Sequence, residues 1–417
     1  MPLEEKKKHR EAAFRAWATI KKKKRAKAIQ NTHKLDKFIR PTEIKKIKQD
    51  LYKEKYARDT IDDVTASEHI RKKQFKTPSL LFPVRNGLID ISKFPVTLIP
   101  HSPKYYYVST LPYNYDPETK CPIFEKYLKE VLPNEMDRLR LQEHMGYLLY
   151  GKNPFEIAVL LTGPEDSGKS TFMRIIELVL GKDNIVHIPL QELTTDRFAA
   201  ARLVGKFACL FADLPSISIR TSGMIKALIS GDGISVQDKF KIRHEADLRA
   251  KFWFSANTIP FTYDTENPFF KRWDIFTFPN QFPLGSPQRD NFLIDKIKEE
   301  RSGILNWMLE GLERLLMNKK FIEIKSIEER REIWLLGSSS LYKYVKTCVE
   351  VNKDLFVTKM DFYEFYVEWC AKNNLPILST KTVGSQLPRL IPSVRTFYPK
   401  IGKKQVLAWK GINIVRD

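Results

Sequence analysis

Cysteine is scarce in this chain: Cys121, Cys209, Cys348 and Cys370 are the only four in 417 residues, and no two form a Cys-x-x-Cys pair. This spacing argues against a structural zinc module and against a disulfide framework, and it fits a reducing, intracellular setting. No apolar run approaches the roughly 20 residues of a membrane span. The N-terminus has no apolar core of the secretory kind, so a cytoplasmic location with no membrane partner is expected. Acidic charge is also short: 50 Asp+Glu face 71 Lys+Arg, leaving +21. That excess favours a polyanionic partner, with nucleic acid ahead of acidic lipid. Internal repeats are absent. The length predicts two to four domains, and 42% hydrophobic residues suffice for their cores.

Residues 1–76 hold 24 Lys+Arg and 11 Asp+Glu, a net of 24 − 11 = +13. They read as a basic arm or linker: a solvated tail, an arm on nucleic-acid backbone, or a connection to something upstream. Residues 77–150 read as a small domain. It opens with a strand running into a turn at Asn86-Gly87, a pair that favours positive φ, and 104–150 is expected to be mostly helical. Residues 151–285 alternate strands (157–162, 207–212, 252–256) with helices, the pattern of an α/β fold around a buried parallel sheet. Residues 286–337 read as a helical lid or connector. Residues 338–417 read as a winged helix-turn-helix. Its first helix is expected over 341–351 and its second from Thr358, with Phe362, Phe365, Tyr366 and Trp369 as a core stripe. Ser379 caps the third helix, and a hairpin turns at Gly402-Lys403-Lys404.

Gly163-Pro164-Glu165-Asp166-Ser167-Gly168-Lys169-Ser170-Thr171 matches Gly-x-x-x-x-Gly-Lys-[Ser/Thr]. It follows an apolar strand and opens a helix, which is the arrangement a phosphate-binding loop needs. Loop N–H groups and the helix N-terminus would cradle the β-phosphate of ATP. Lys169, expected to be exposed in the loop, would reach the β/γ-phosphates, and the Ser170 hydroxyl would be a Mg²⁺ ligand. A triphosphatase also needs an acid at the end of a neighbouring strand, and Asp213 after the apolar run 207–212 fits as the second Mg²⁺ ligand. Asn257, after 252–256, could orient water or touch the γ-phosphate. Arg272 is either half of a surface basic pair with Lys271 or an arginine finger reaching a neighbour's γ-phosphate.

In order, these motifs are Gly163 to Ser170, Gly205-Lys206 leading to Asp213, the segment 231–241, Ser255-Ala256-Asn257, and Phe270-Lys271-Arg272-Trp273. The set resembles superfamily III helicases, and within them the phage, plasmid and poxvirus primase–helicases. Asn86-Gly87-Leu88-Ile89-Asp90, His101-Ser102-Pro103 and 111–117 are similar to the collar-like domain before the motor of that family, so the resemblance spans about 80–415.

The resemblance implies an AAA+-type core working as a homo-oligomeric ring, a hexamer, that moves along single-stranded or forked DNA in the host cell of a mobile element. It also implies a channel hairpin over 234–252 whose tip, Lys239 and Phe240 with Lys241 and Arg243 beside them, grips the strand. Family members commonly carry two adjacent acids at the second motif; here the first is Ala212. The water-activating base would then come from Glu165, Asp166 or Asp264. A primase domain or protein upstream is a further implied partner.

In the C-terminal region, Lys381, Gln386 and Arg389 on the third helix could enter the groove of duplex origin DNA while Lys403 and Lys404 hold phosphate. The leading reading is an ATP-dependent replicative DNA helicase. The alternative is an ATP-switched initiator that binds origin DNA without processive unwinding. A small-molecule kinase using the same loop is disfavoured by the net charge.

Overall fold

The computed structural model describes residues 80–415, apart from 103–104, 106–109, 197, 216–217, 220–221, 232–233, 237–243, 247 and 265. The basic segment 1–76 lies outside the described residues.

The chain enters through β1 (Leu81–Val84) and β2 (Gly87–Asp90), an antiparallel pair extended by β3 (Thr97–Ile99). The turn at 85–86 differs from expectation, since neither Asn86 nor Gly87 has positive φ. Close approach is what Gly87 serves, because a Cβ there would lie 2.6 Å from the Ile99 carbonyl oxygen. Asn86 instead pins the later segment by pairing with the Tyr115 backbone, donating to its O and accepting from its N, both at 2.9 Å. Helices α1 (Pro122–Val131) and α2 (Glu135–Tyr147) follow, so the helical content expected over 104–150 begins, among the described residues, only at Pro122.

Next comes the sheet. Strands β4 (Ala158–Thr162), β5 (Ile185–Val186), β6 (Ala208–Phe211), β9 (Lys251–Ala256) and β10 (Trp273–Thr277) form one parallel sheet in the order β10-β4-β9-β6-β5. Helix α3 (Lys169–Leu180) leaves β4. Helices α4 (Leu190–Thr195) and α5 (Gly223–Ser230) flank β6, and β7 (Ile234–Val236) with β8 (His244–Ala246) forms a separate antiparallel hairpin before β9. Short α6 (Asn267–Phe270) precedes β10.

Every β9 residue is buried, as expected for a strand covered on both faces. Alternation along β4 divides the interior: Val159 and Leu161 face one core, Ala158 and Leu160 the other. The first core is continuous with Val84, Phe124, Leu128 and Leu141, and with Leu305 and Met308 of α8 (Arg301–Asn318), which follows α7 (Leu293–Glu299). The second takes in Phe254, Trp273 and Trp334 of α9 (Ile327–Ser338). Segments 80–150 and 286–320 thus share their packing with the sheet.

The C-terminal part has its own core. It runs α10 (Ser340–Cys348), β11 (Val349–Thr358), α11 (Lys359–Lys372), α12 (Thr380–Leu390), β12 (Arg395–Phe397), the hairpin β13 (Lys400–Ile401) and β14 (Lys404–Gln405), then β15 (Ala408–Ile414). The sheet order is β11-β15-β12. The helix expected over 341–351 stops at Cys348, because Val349 and Val351 pair with Ile414 and Ile412 of the last strand. The local signals hold: Thr358 and Ser379 cap α11 and α12 by accepting from Asp361 N and Thr382 N, and Phe362 and Tyr366 are core.

Candidate nucleotide site

The C-terminal edge of the parallel sheet opens into a cleft of about 570 Å³. The 163–168 loop and the first turn of α3 form its floor. Gly168 caps α3 at φ +92, and a Cβ there would lie 2.7 Å from Val131 Cγ1. Helix α1 is therefore pressed against the loop. Its Tyr127 hydroxyl donates to the Gly168 carbonyl at 2.8 Å, and one turn on, Glu130 and Val131 share the same face and line the cleft. No sequence motif marked α1, and its contact with the loop spans 41 positions.

Lys169 is not exposed, contrary to expectation. It is the first residue of α3, only 6% exposed. Its ammonium donates to Gly163 O at 2.8 Å, Pro164 O at 2.6 Å and Ser167 Oγ at 3.0 Å. Burial lowers its pKa, partly offset by the carboxylates of Asp213, Glu165 and Asp166. The loop is braced from the far side: Asp166, at φ +55, accepts from Arg289 at 3.0 Å, and its carbonyl accepts from Phe282 N at 2.8 Å. Arg289 and Arg174 line the cleft and were not foreseen, since nothing local marks an arginine 123 residues from its partner.

Asp213 sits two residues beyond the end of β6 in a left-handed conformation, φ +64. Its N donates to Ser255 Oγ at 3.2 Å, and Leu214 N donates to Ser255 O at 2.7 Å, so the tip of β9 fixes where the carboxylate stands. Asn257 follows β9 directly. Because β9 lies between β4 and β6, the sheet order brings Lys169, Ser170, Asp213 and Asn257 to one cleft. A hydroxyl and a carboxylate converging beside such a loop are oxygen donors of the kind Mg²⁺ takes, so these residues fit that ion. Of the three carboxylates considered for the base, Glu165 and Asp166 line this cleft. Asp264 does not; it accepts from Ser222 and, at 2.9 Å, from Lys226.

Arg272 stands apart from the cleft of its own chain. Its guanidinium donates to Glu156 Oε2 at 3.0 Å, Ser230 Oγ at 2.9 Å, Pro268 O at 2.8 Å and Lys226 O at 3.2 Å. The tip residues Lys239, Phe240, Lys241 and Arg243 lie outside the described residues. The hairpin is shorter than expected: Leu248 N donates to Gly231 O at 2.9 Å, closing its base, and Phe252 belongs to the sheet.

In the C-terminal part, Lys381, Lys403 and Lys404 are exposed. Gln386 is buried, since position 386 lies on the face α12 turns to the core beside Val383 and Leu387. Arg389 is exposed, but its guanidinium stands 5.3 Å from the ring centre of Tyr263, in the segment between β9 and α6.

Three family models match parts of the chain. Residues 4–133 match the family described as D5 N terminal like, and residues 337–411 match the family described as Poxvirus D5 protein-like. Residues 161–272, from the loop to Arg272, match a family of unknown function (DUF5906). Among solved structures, an A-form apo structure of the NrS-1 C-terminal region is 12% identical. It covers 74% of this chain and 82% of its own, with a TM-score of 0.43. A second apo structure of that region is 11% identical and covers 83% and 98%, with a TM-score of 0.42. No helix among the described residues is long and apolar enough to cross a membrane. The chain is thus similar to D5-type proteins at both ends of its sequence.

Proposed function

We propose that the chain is an ATP-dependent replicative DNA helicase of a mobile element, working as a ring oligomer on single-stranded DNA. The observation that carries this reading is the convergence of Lys169, Ser170, Asp213 and Asn257 on one cleft at the sheet edge, with Arg272 outside it. The strand order β10-β4-β9-β6-β5, with β9 inserted between the loop strand and the acidic strand, supports an AAA+-type core. The helix–strand–helix–helix–strand–hairpin–strand order of 340–414 supports a winged helix.

ATP would lie with its β-phosphate over the N-terminus of α3, where loop N–H groups donate to it. Lys169 would turn from the carbonyls it now holds to the β/γ-phosphates, and its charge would be stabilised by the phosphate that replaces them. Ser170 and Asp213 would hold Mg²⁺, which neutralises charge on the transferring phosphoryl group. Asn257 would orient the attacking water. With Asp166 engaged by Arg289 and Asp264 outside the cleft, Glu165 is the carboxylate left to activate that water. Arg272 would act on the ATP of a neighbouring subunit, and the hairpin tip would hold the strand in the channel. Residues 1–76 would link the motor to a primase module or hold DNA backbone.

The single acid at the second motif, with Ala212 before Asp213, favours a second reading: an ATP-switched initiator that binds duplex origin DNA through 338–417. Strand displacement on forked DNA separates the two. The helicase reading expects ATP-dependent release of the displaced strand, abolished by Lys169→Ala. DNA binding with ATP turnover but no displacement would favour the initiator.

A further inference from the structure

The loop 150–156 touches two elements that the proposed mechanism must connect. At one end, Glu156 accepts from Arg272 at 3.0 Å and stands 3.8 Å from Lys271 Nζ. Glu156 itself is at φ +47, and its N donates to Asn153 O at 3.1 Å, so a tight turn aims the carboxylate at the guanidinium. At the other end, the Asn153 side chain donates to Leu248 O at 2.7 Å, at the closing pair of the β7–β8 hairpin. Lys251, where the chain leaves the hairpin and enters β9, is buried at 3% exposure. Its ammonium donates to Tyr150 O, to Lys152 O at 3.0 Å and to Arg249 O at 2.8 Å, and lies 4.5 Å from the ring centre of Tyr147. A buried ammonium with no carboxylate partner among the described residues is costly unless such carbonyls hold it, so this junction is built to be rigid. Arg272 also donates to Ser230, the residue before Gly231 at the hairpin base.

We propose that loop 150–156 couples Arg272 to the base of the hairpin, with Glu156 the positioning residue that holds the guanidinium until a neighbour's phosphate draws it away. Phosphate and Glu156 compete for the same planar donors, so Arg272 cannot serve both fully at once. When the guanidinium leaves, Glu156 keeps only Lys271 at 3.8 Å and Ser230 only the Lys226 carbonyl at 3.1 Å, and the change is passed through Asn153 and Lys251 to the hairpin base. Strand binding at the hairpin tip would act in reverse, loosening the hold on Arg272 and raising turnover. The inference rests on the reading of Arg272 as a finger acting on a neighbouring subunit and of the hairpin as the DNA contact.

The test is ATP turnover with and without oligo-dT for the full chain, comparing wild type with Glu156→Gln, Asn153→Ala, Arg272→Ala and the double variant Glu156→Gln/Arg272→Ala. A partly exposed ion pair shifts such an equilibrium by on the order of fivefold. Glu156→Gln should therefore raise the DNA-free rate about fivefold and cut the stimulation by oligo-dT by a similar factor. Asn153→Ala, at the hairpin end, should lower the stimulation. In the Arg272→Ala background Glu156→Gln should change nothing. Wild-type rates and stimulation in Glu156→Gln would overturn the proposal, as would a Glu156→Gln effect that persists without Arg272. Near wild-type turnover in Arg272→Ala alone would sink the finger reading itself, and this inference with it.

Discussion

Lys169→Ala separates what the lysine does for the fold from what it does for the nucleotide. Without nucleotide the side chain makes three hydrogen bonds to its own loop, each worth about 1 kcal/mol net. Against this stands a buried ammonium. Its folded pKa is lowered from an ordinary value near 10.5, so the charge opposes folding at neutral pH, and the penalty fades as pH rises toward that value. The two effects offset, and alanine suits the first turn of a helix. The apo variant should therefore melt within about 2 °C of wild type, taking about 0.7 kcal/mol per degree for a body the size of 77–417.

With nucleotide the balance changes. A ligand at 100 times its Kd stabilises by about 2.7 kcal/mol, or roughly 4 °C on that scale. Losing about 3 kcal/mol of charge-assisted phosphate binding weakens affinity by about 150-fold, leaving roughly 0.3 kcal/mol and under 1 °C. Thermal melting with and without Mg²⁺ and a non-hydrolysable ATP analogue reads this directly. A variant that keeps the 4 °C shift, or that turns over ATP near the wild-type rate, would refute the assignment of the loop.

The remaining expectations concern the hairpin and pH. Lys239→Ala combined with Phe240→Ala should abolish strand displacement and the DNA-stimulated part of ATP turnover; retained unwinding would place the moving contact elsewhere. His144 is buried, and burial lowers its pKa despite the Asp274 carboxylate 2.8 Å away. The folded state therefore binds this proton less readily than the unfolded chain, so stability should fall as pH drops below about 6.5. His144→Gln should lose less melting temperature than wild type between pH 7.5 and 5.5, and an equal loss would contradict that role.

Parts of this site could be read from sequence because their signals are local. A strand, a glycine-bearing loop and a helix follow one another at 158–180, and caps at Thr358 and Ser379 announce the helices they start. The order of Asp213 and Asn257 along the chain was legible because each ends an apolar strand. What was missed depends on distant partners. Tyr127 behind Gly168, Arg289 on Asp166 and the Glu156 hold on Arg272 join segments 41, 123 and 116 residues apart. Burial of Lys169 follows from the loop folding over it, and periodicity carries no trace of that. The start of the strand over 349–358 reads as helix in sequence because its partner, β15, is the last strand described. Gln386 reads as a groove-facing amide only until α12 is set against its own core.

On the proposed mechanism, the 163–170 loop turns over ATP at a site completed by a neighbouring subunit. Mixing Arg272→Ala chains with Lys169→Ala chains, each inactive alone, tests it most directly. In a mixed ring some interfaces combine an intact loop with an intact arginine, and a finger is worth about 10³–10⁵ in rate, so even a small fraction of them would be visible. ATP turnover should reappear on mixing and rise with protein concentration. No recovery, together with wild-type turnover independent of concentration, would contradict it and leave a site contained within one chain.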